Sequence, residues 1–135
     1  MRILVDTSVW IEFFRGTASR EREILKTCLD QREYIATSGI IVQEILQGIR
    51  EDAQYRETSR FLSFFPRFDL QFSDHVEAAN IYRQLRKRGL TIRSPIDCVI
   101  AALAMRGRFL LLHRDRDFPT IARFYPLKLY EESPS

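Results

Sequence analysis

Short apolar runs alternate with helical periodicity along nearly the whole chain, and this alternation narrows the possible folds more than any other feature. "RILV" (2–5) reads as a short buried strand, and 7–15 reads as a helix with Val9, Trp10, Phe13 and Phe14 apolar and Gly16 as its stop. Residues 19–31 make a polar amphipathic helix carrying Ile24, Leu25, Cys28 and Leu29. "YIAT" (34–37) is a second strand, followed by helices over 39–50 and 52–65, the latter ending before Pro66. "RFDLQF" (67–72) alternates as a third strand would, and 74–88 is a helix closed by Gly89. An apolar helix over 95–106 is closed by Gly107, and "RFLLL" (108–112) is the most apolar strand. A short helix near 117–123 and a last strand, "LKLY" (127–130), complete the pattern. Strands separated by helices form βαβ units, so the expectation is an α/β fold with a mostly parallel sheet covered on both faces.

The totals agree with a soluble globular protein. The 135 residues fit one domain, which buries about 65–70% of its unfolded surface. The longest apolar run, residues 99–105, falls far short of the roughly 20 residues that span a bilayer. Asp6 interrupts any signal-like pattern at the N-terminus, so the expected location is the cytoplasm, and "EESPS" (131–135) is expected to fray. The net charge is +3, and only three of the 21 basic residues are Lys (Lys26, Lys87, Lys128). The remainder are Arg, which binds phosphate bidentately and stacks on bases, although codon bias explains such a preference equally well. Cys28 and Cys98 lack metal or redox spacing and read as core thiols. His75 and His113 have no Cys or His neighbours at zinc spacing.

The acidic residues carry the chemistry. In an open parallel sheet, ligands bind beyond the carboxyl ends of the strands. Asp6 directly follows the first strand, and Asp115 and Asp117 follow the 108–112 strand. Ser94 and Pro95 open the apolar helix and put Asp97 in its first turn, which also faces that edge. Glu44 falls just outside the arc formed by Ile41, Val42, Ile45, Leu46 and Ile49, and Gly48 leaves the space beside it open. Each acid has a plain structural explanation when taken singly: Asp6 or Asp115 as a helix cap, Asp97 as a dipole partner, Glu44 and Asp117 as surface groups. Those explanations do not account for convergence on one edge, where like charges raise one another's pKa values. A divalent cation would offset that repulsion, and all-carboxylate donors suit Mg²⁺ or Mn²⁺.

"ILVDTSVWIEFFRG", "SGIIVQEILQGIR", "SPIDCVIAALAMRG" and "LLLHRDRDFPTIA" resemble the motifs of the PIN-domain family, specifically the VapC toxins of type II toxin–antitoxin systems. The resemblance runs from residue 2 to about 130 and treats 1–130 as a single nuclease domain. It implies a three-layer α/β/α sandwich and a metal-dependent endoribonuclease whose acidic quartet is Asp6, Glu44, Asp97 and Asp115, with Asp117 at an additional acidic position. On this pattern Asp6, Asp97 and Asp115, with Asp117, would hold one or two Mg²⁺ or Mn²⁺ ions. Glu44 would position the attacking water and serve as base, and cleavage would leave 5′-phosphate and 3′-hydroxyl ends. Thr7 or Ser8 would either hydrogen-bond an acid or simply start a helix. Many members have Ser or Thr just before the last acidic motif; here His113 and Arg114 stand there and leave the hydroxyl's role unfilled. Arg93, Arg114 and Arg116 would hold RNA phosphates. The resemblance also implies a VapB-like antitoxin that covers the site, and a homodimer within a larger toxin–antitoxin assembly. Trp10, Phe13, Phe14, Phe61, Phe64 and Phe65 would supply core and some lining for the antitoxin's groove.

Three other readings compete. A haloacid-dehalogenase-type phosphatase needs a second Asp two residues after the first, where this chain has Ser8. A receiver domain needs a Lys at a later strand end, and the three Lys lie elsewhere. An intact carboxylate set argues against a catalytically silent RNA- or protein-binding module, and Mg²⁺-dependent cleavage would decide between the two.

Overall fold

The computed structural model describes residues 1–131. Four strands, β1 (Arg2–Val5), β2 (Tyr34–Ala36), β3 (Leu110–Leu112) and β4 (Lys128–Leu129), form one sheet in the order β2-β1-β3-β4. Every neighbouring pair is parallel, with Leu4 opposite both Ala36 and Leu111. Ile3, Leu4 and Val5 are fully buried, as expected of a central strand covered on both faces. The chain moves outward from β1 to β2, then returns past β1 to β3. The point of reversal therefore lies between β1 and β3, where parallel α/β sheets open a crevice.

Among the described residues seven helices flank the sheet: α1 (Thr7–Arg15), α2 (Arg20–Asp30), α3 (Gly39–Gln47), α4 (Asp52–Leu62), α5 (Phe72–Lys87), α6 (Pro95–Gly107) and α7 (Asp117–Ala122). They pack as two groups: α1 against α2 and α3, with α3 on α4, and α5 against α6, with α6 on α7. The result is the expected α/β/α sandwich. Local chemistry sets the ends. Gly16 closes α1 at φ 71°, which a glycine adopts without strain. The Ser19 hydroxyl accepts the Arg22 N–H at 3.1 Å and opens α2. Pro95 occupies the first turn of α6, whose Cys98, Ile100, Ala101, Leu103 and Ala104 are buried. Both Cys are buried free thiols. Among the described residues no helix is long and apolar enough to cross a membrane.

Several expected boundaries change. Residues 67–72 are not a strand. Only Arg67 reaches the sheet, through an isolated parallel bridge to Thr37. Phe68 instead packs edge-on against Phe109 at 5.2 Å. The Asp74 carboxylate accepts the Gln71 N–H at 2.8 Å and starts α5 at Phe72, so the apparent alternation has no partner strand. α3 stops at Gln47 and α4 at Leu62, where the Ser63 hydroxyl turns back onto the Arg60 carbonyl at 2.6 Å. Gly107 is the last residue of α6 and does not close it; Arg108 takes the left-handed conformation at φ 56°. Gly107 is required for a different reason. A Cβ there would lie 2.2 Å from the Phe109 ring and 2.9 Å from the Phe68 ring. In the expected frayed segment, Glu131 is exposed and outside any element, and 132–135 lie outside the described residues.

Candidate active site

The carboxyl ends of β1 and β3 meet at the crevice. The Asp6 N–H donates to the carbonyl of Leu112, the last residue of β3, at 2.9 Å, which carries the ladder one residue past the end of β1. Asp6 is 5% exposed, and a single oxygen, Oδ2, accepts both the Ser8 N–H (3.1 Å) and the Ser8 hydroxyl (2.6 Å). Capping α1 therefore uses one carboxylate oxygen only. Asp97 sits in the first turn of α6 and is buried, where the helix N-terminus favours an anion. Asp115 is half-buried in the loop after β3, and its Oδ1 accepts the Asp117 N–H at 2.9 Å. Asp117 opens α7, and its Oδ2 accepts the Arg93 N–H at 3.0 Å, tying the loop before α6 to the same place. Glu44 comes from α3, half-buried, with its Oε1 accepting the Thr7 hydroxyl at 3.0 Å.

Asp97, Asp115 and Asp117 each present one oxygen, and these lie within 4.8 Å of one another. Asp6 adjoins them: its charge acts on Asp97, and that of Asp115 acts on it. Glu44 stands at the far side, where it feels the charge of Asp6. The Asp97 carboxyl is pushed up to about 8, first by burial, then by the charge of Asp115 and a hydrogen bond shared with it, and then by the charges of Asp6 and Asp117. Burial also raises Asp6, although the Ser8 hydroxyl and N–H pull it down; burial raises Glu44 against the Thr7 hydrogen bond. Asp97 Oδ2 is buried and meets no donor. Hard oxygen donors crowded around a partnerless buried oxygen fit a divalent cation, and Mg²⁺ or Mn²⁺ above softer metals.

The side chains around the cluster make contacts that the sequence does not show. Arg114 is engaged by two acids: its Nη1 pairs with Glu12 Oε1 at 2.8 Å and its Nε with Glu21 Oε2 at 3.5 Å. The Glu21 contact comes from another helix, and no spacing in the sequence announces it. Arg93 and Arg116 are exposed beside the cluster. His113 Nδ1 accepts the Asp115 N–H at 3.1 Å, and the ring rests on Phe118. Burial lowers the His113 pKa against the pull of Asp6 and Asp115, which keeps the imidazole neutral and Nδ1 an acceptor. Of the aromatic set, Trp10 is fully buried, with Phe14 stacked on it at 5.7 Å and Phe65 edge-on at 5.4 Å. Phe64 is exposed. A cavity of about 340 Å³ between α1 and the α3–α4 turn is lined by Ile11, Phe14, Arg15, Gly48 and Arg50, and Glu44 forms part of its wall.

Residues 3–124 match the PIN-domain model. The chain belongs to the PIN-domain family. Ribonuclease VapC11 of Mycobacterium tuberculosis is 39% identical over 93% of this chain and 96% of its own length, which places the chain among the VapC ribonucleases. Ribonuclease VapC1 of Methanocaldococcus jannaschii is 29% identical over 97% of this chain and 88% of its own. The fold also matches VapBC2 from Rickettsia felis, solved bound to a promoter DNA fragment, with a TM-score of 0.75, 19% identity, and coverage of 98% and 100% of the two chains. It matches the sarcin-ricin-loop-cleaving toxin VapC20 of Mycobacterium tuberculosis with a TM-score of 0.67, 15% identity, and coverage of 87% and 93%. In this PIN domain Asp97, Asp115 and Asp117 gather beside Asp6 at the crevice, while Glu44 approaches from α3 through Thr7, which follows Asp6.

Proposed function

We propose that this protein is the RNA-cleaving toxin of a toxin–antitoxin pair, and that it cuts at the acidic cluster with Mg²⁺ or Mn²⁺ bound there. One observation carries this reading: Asp97, Asp115 and Asp117 close around a buried carboxylate oxygen that no donor satisfies. Asp97, Asp115, Asp117 and the adjoining Asp6 are the residues that would hold the ion, directly or through water. A divalent cation so bound acidifies water and offsets charge that develops on a scissile phosphate. Glu44, oriented by Thr7 and raised by burial, aligns the attacking water and takes its proton. On this reading Glu44, which feels the Asp6 charge, would stand next to the ion without holding it. Arg93 and Arg116 hold the flanking phosphates. In-line attack by water leaves 5′-phosphate and 3′-hydroxyl ends.

The partners follow from the same reading. Solved relatives of this fold include the VapBC complexes of Haemophilus influenzae and Salmonella typhimurium, the latter bound to DNA. For this chain we assign a VapB-like antitoxin, a homodimer within a larger assembly, and a cytoplasmic site of action where RNA is at hand. The groove between α1 and the α3–α4 turn supports the antitoxin assignment, because a segment seated in it covers Glu44. The test is to sequence RNA ends after brief expression in cells, wild type beside Asp6→Asn. New 5′-phosphate ends at defined positions are expected with the wild type only; the same ends with Asp6→Asn would refute the site assignment.

A further inference from the structure

The Ser8 hydroxyl, near the start of α1, reaches across to the loop after β3. The Ser8 hydroxyl has one proton, and the 2.6 Å contact gives it to Asp6 Oδ2. Its lone pairs then accept the Arg114 N–H at 3.0 Å. One side chain therefore joins the carboxylate after β1 to the backbone after β3. The side chain of Arg114 is held from the same direction. Glu12 lies one turn beyond Ser8 on the same face of α1 and takes the guanidinium at 2.8 Å, while Glu21 of α2 takes its other side at 3.5 Å. The neighbouring residues of the loop are tied internally, Asp115 N–H to His113 and Asp117 N–H to Asp115. Arg114 is thus the point where the loop that carries Asp115 is fixed to the helix that Asp6 caps.

We propose that Ser8 and Arg114 form a clamp that sets the spacing of Asp6 and Asp115, so that both are positioning residues and Arg114 is not an RNA contact. The inference rests on the acidic cluster being the cation site. If the clamp were absent, the loop would be free to move Asp115 away from Asp6, and cation binding would suffer before RNA binding did. Groups that orient metal ligands typically contribute about 10–100-fold in metal affinity.

The test measures Mn²⁺ affinity by calorimetry, amide exchange of residues 113–117 in the metal-free protein, and kcat and KM on an RNA substrate. Ser8→Ala and Arg114→Ala are each expected to weaken Mn²⁺ binding about tenfold and to speed exchange in the loop. Both should lower kcat while KM for RNA stays within about twofold. The double variant should lose little more than the worse single, because both act through one loop. Ser8→Thr should restore most of the affinity. Glu12→Gln removes one leg without touching Asp6 or Asp115 and should weaken Mn²⁺ binding about threefold. The clamp is refuted if Arg114→Ala leaves Mn²⁺ affinity unchanged and instead raises KM with a shallower salt dependence, the signature of a phosphate contact. Unchanged Mn²⁺ affinity in Ser8→Ala refutes it equally. Asp6→Asn, run alongside, separates the two claims: if that variant binds Mn²⁺ as well as wild type, the site assignment itself fails, whatever Ser8 does.

Discussion

At the scale of single residues, Asp97 is the most informative. Its carboxyl ordinarily titrates near 3.8, and here it is held up to about 8 by burial and by three acidic neighbours. The folded protein therefore keeps a proton that the unfolded chain releases near pH 4. Between those values the folded state binds more protons, so metal-free stability falls as pH rises from about 4 to about 8 and levels off above. Asp6 and Glu44 are shifted in the same direction and add to the slope. Asp97→Asn keeps the shape and removes the charge, so its metal-free melting temperature at pH 8 should exceed that of the wild type by roughly 3 °C or more. Its pH dependence between 5 and 8 should be flatter. A steeper decline in Asp97→Asn, followed by thermal melts across that range, would mean that the carboxyl is not strained by its neighbours. Asp74 is the contrasting case. Burial alone would raise it, but hydrogen bonds from Arg106 and the Gln71 N–H, with the Arg106 charge, hold it below its ordinary value. The guanidinium neutralises Asp74, whereas the Asp97, Asp115 and Asp117 cluster that the proposal gives to a cation has the charges of its acidic neighbours acting to raise Asp97.

At the scale of elements, the end of α6 shows what periodicity reveals and what it hides. A glycine after an apolar helix suggests a stop, yet Gly107 is helical and Arg108 makes the left-handed turn. Gly107→Ala should cost about 1–3 kcal/mol in urea unfolding, because the added methyl meets the rings of Phe109 and Phe68. Arg108→Gly should be neutral or stabilising by up to about 1 kcal/mol, since it relieves a left-handed non-glycine residue. Equal and small effects at both positions would return the stop to Gly107. The distinction was invisible in sequence because Phe68 and Phe109 are far apart along the chain. The same holds for 67–72, where alternation looked like a strand but the residue that decided the outcome was Asp74, capping the next helix. By contrast, the four parallel strands and the placement of Asp6, Asp97 and Asp115 on one edge were legible, because they depend on strand ends and a Ser-Pro helix start. Hydroxyl and guanidinium partners were only half legible. Ser8 and Thr7 were candidates, whereas the two helices that hold Arg114 meet only in the folded chain.

At the scale of the whole molecule, one edge of the sheet gathers acids from β1, β3, α3, α6 and α7 while the chain as a whole is basic. On the proposed function, Arg at the rim would draw in the RNA polyanion and the acidic centre would hold the cation that acts on it. The groove beside Glu44 is where the proposed antitoxin would shut this off. Gly48 faces open space there, with only the Ile45 carbonyl within reach of a Cβ at 3.7 Å, so a larger side chain fits the fold but fills the groove. Gly48→Leu should keep the melting temperature within about 2 °C and weaken antitoxin binding about tenfold or more. Undiminished binding in a pull-down titration would put the antitoxin elsewhere. The account as a whole is tested most directly by following cleavage of RNA by the purified protein with Mn²⁺, with Mn²⁺ plus excess chelator, and with Asp97→Asn in place of the wild type. Cleavage in the first reaction, with at least a roughly hundredfold loss in the other two, is the result predicted. Cleavage by Asp97→Asn at the wild-type rate, or cleavage indifferent to the chelator, would contradict it.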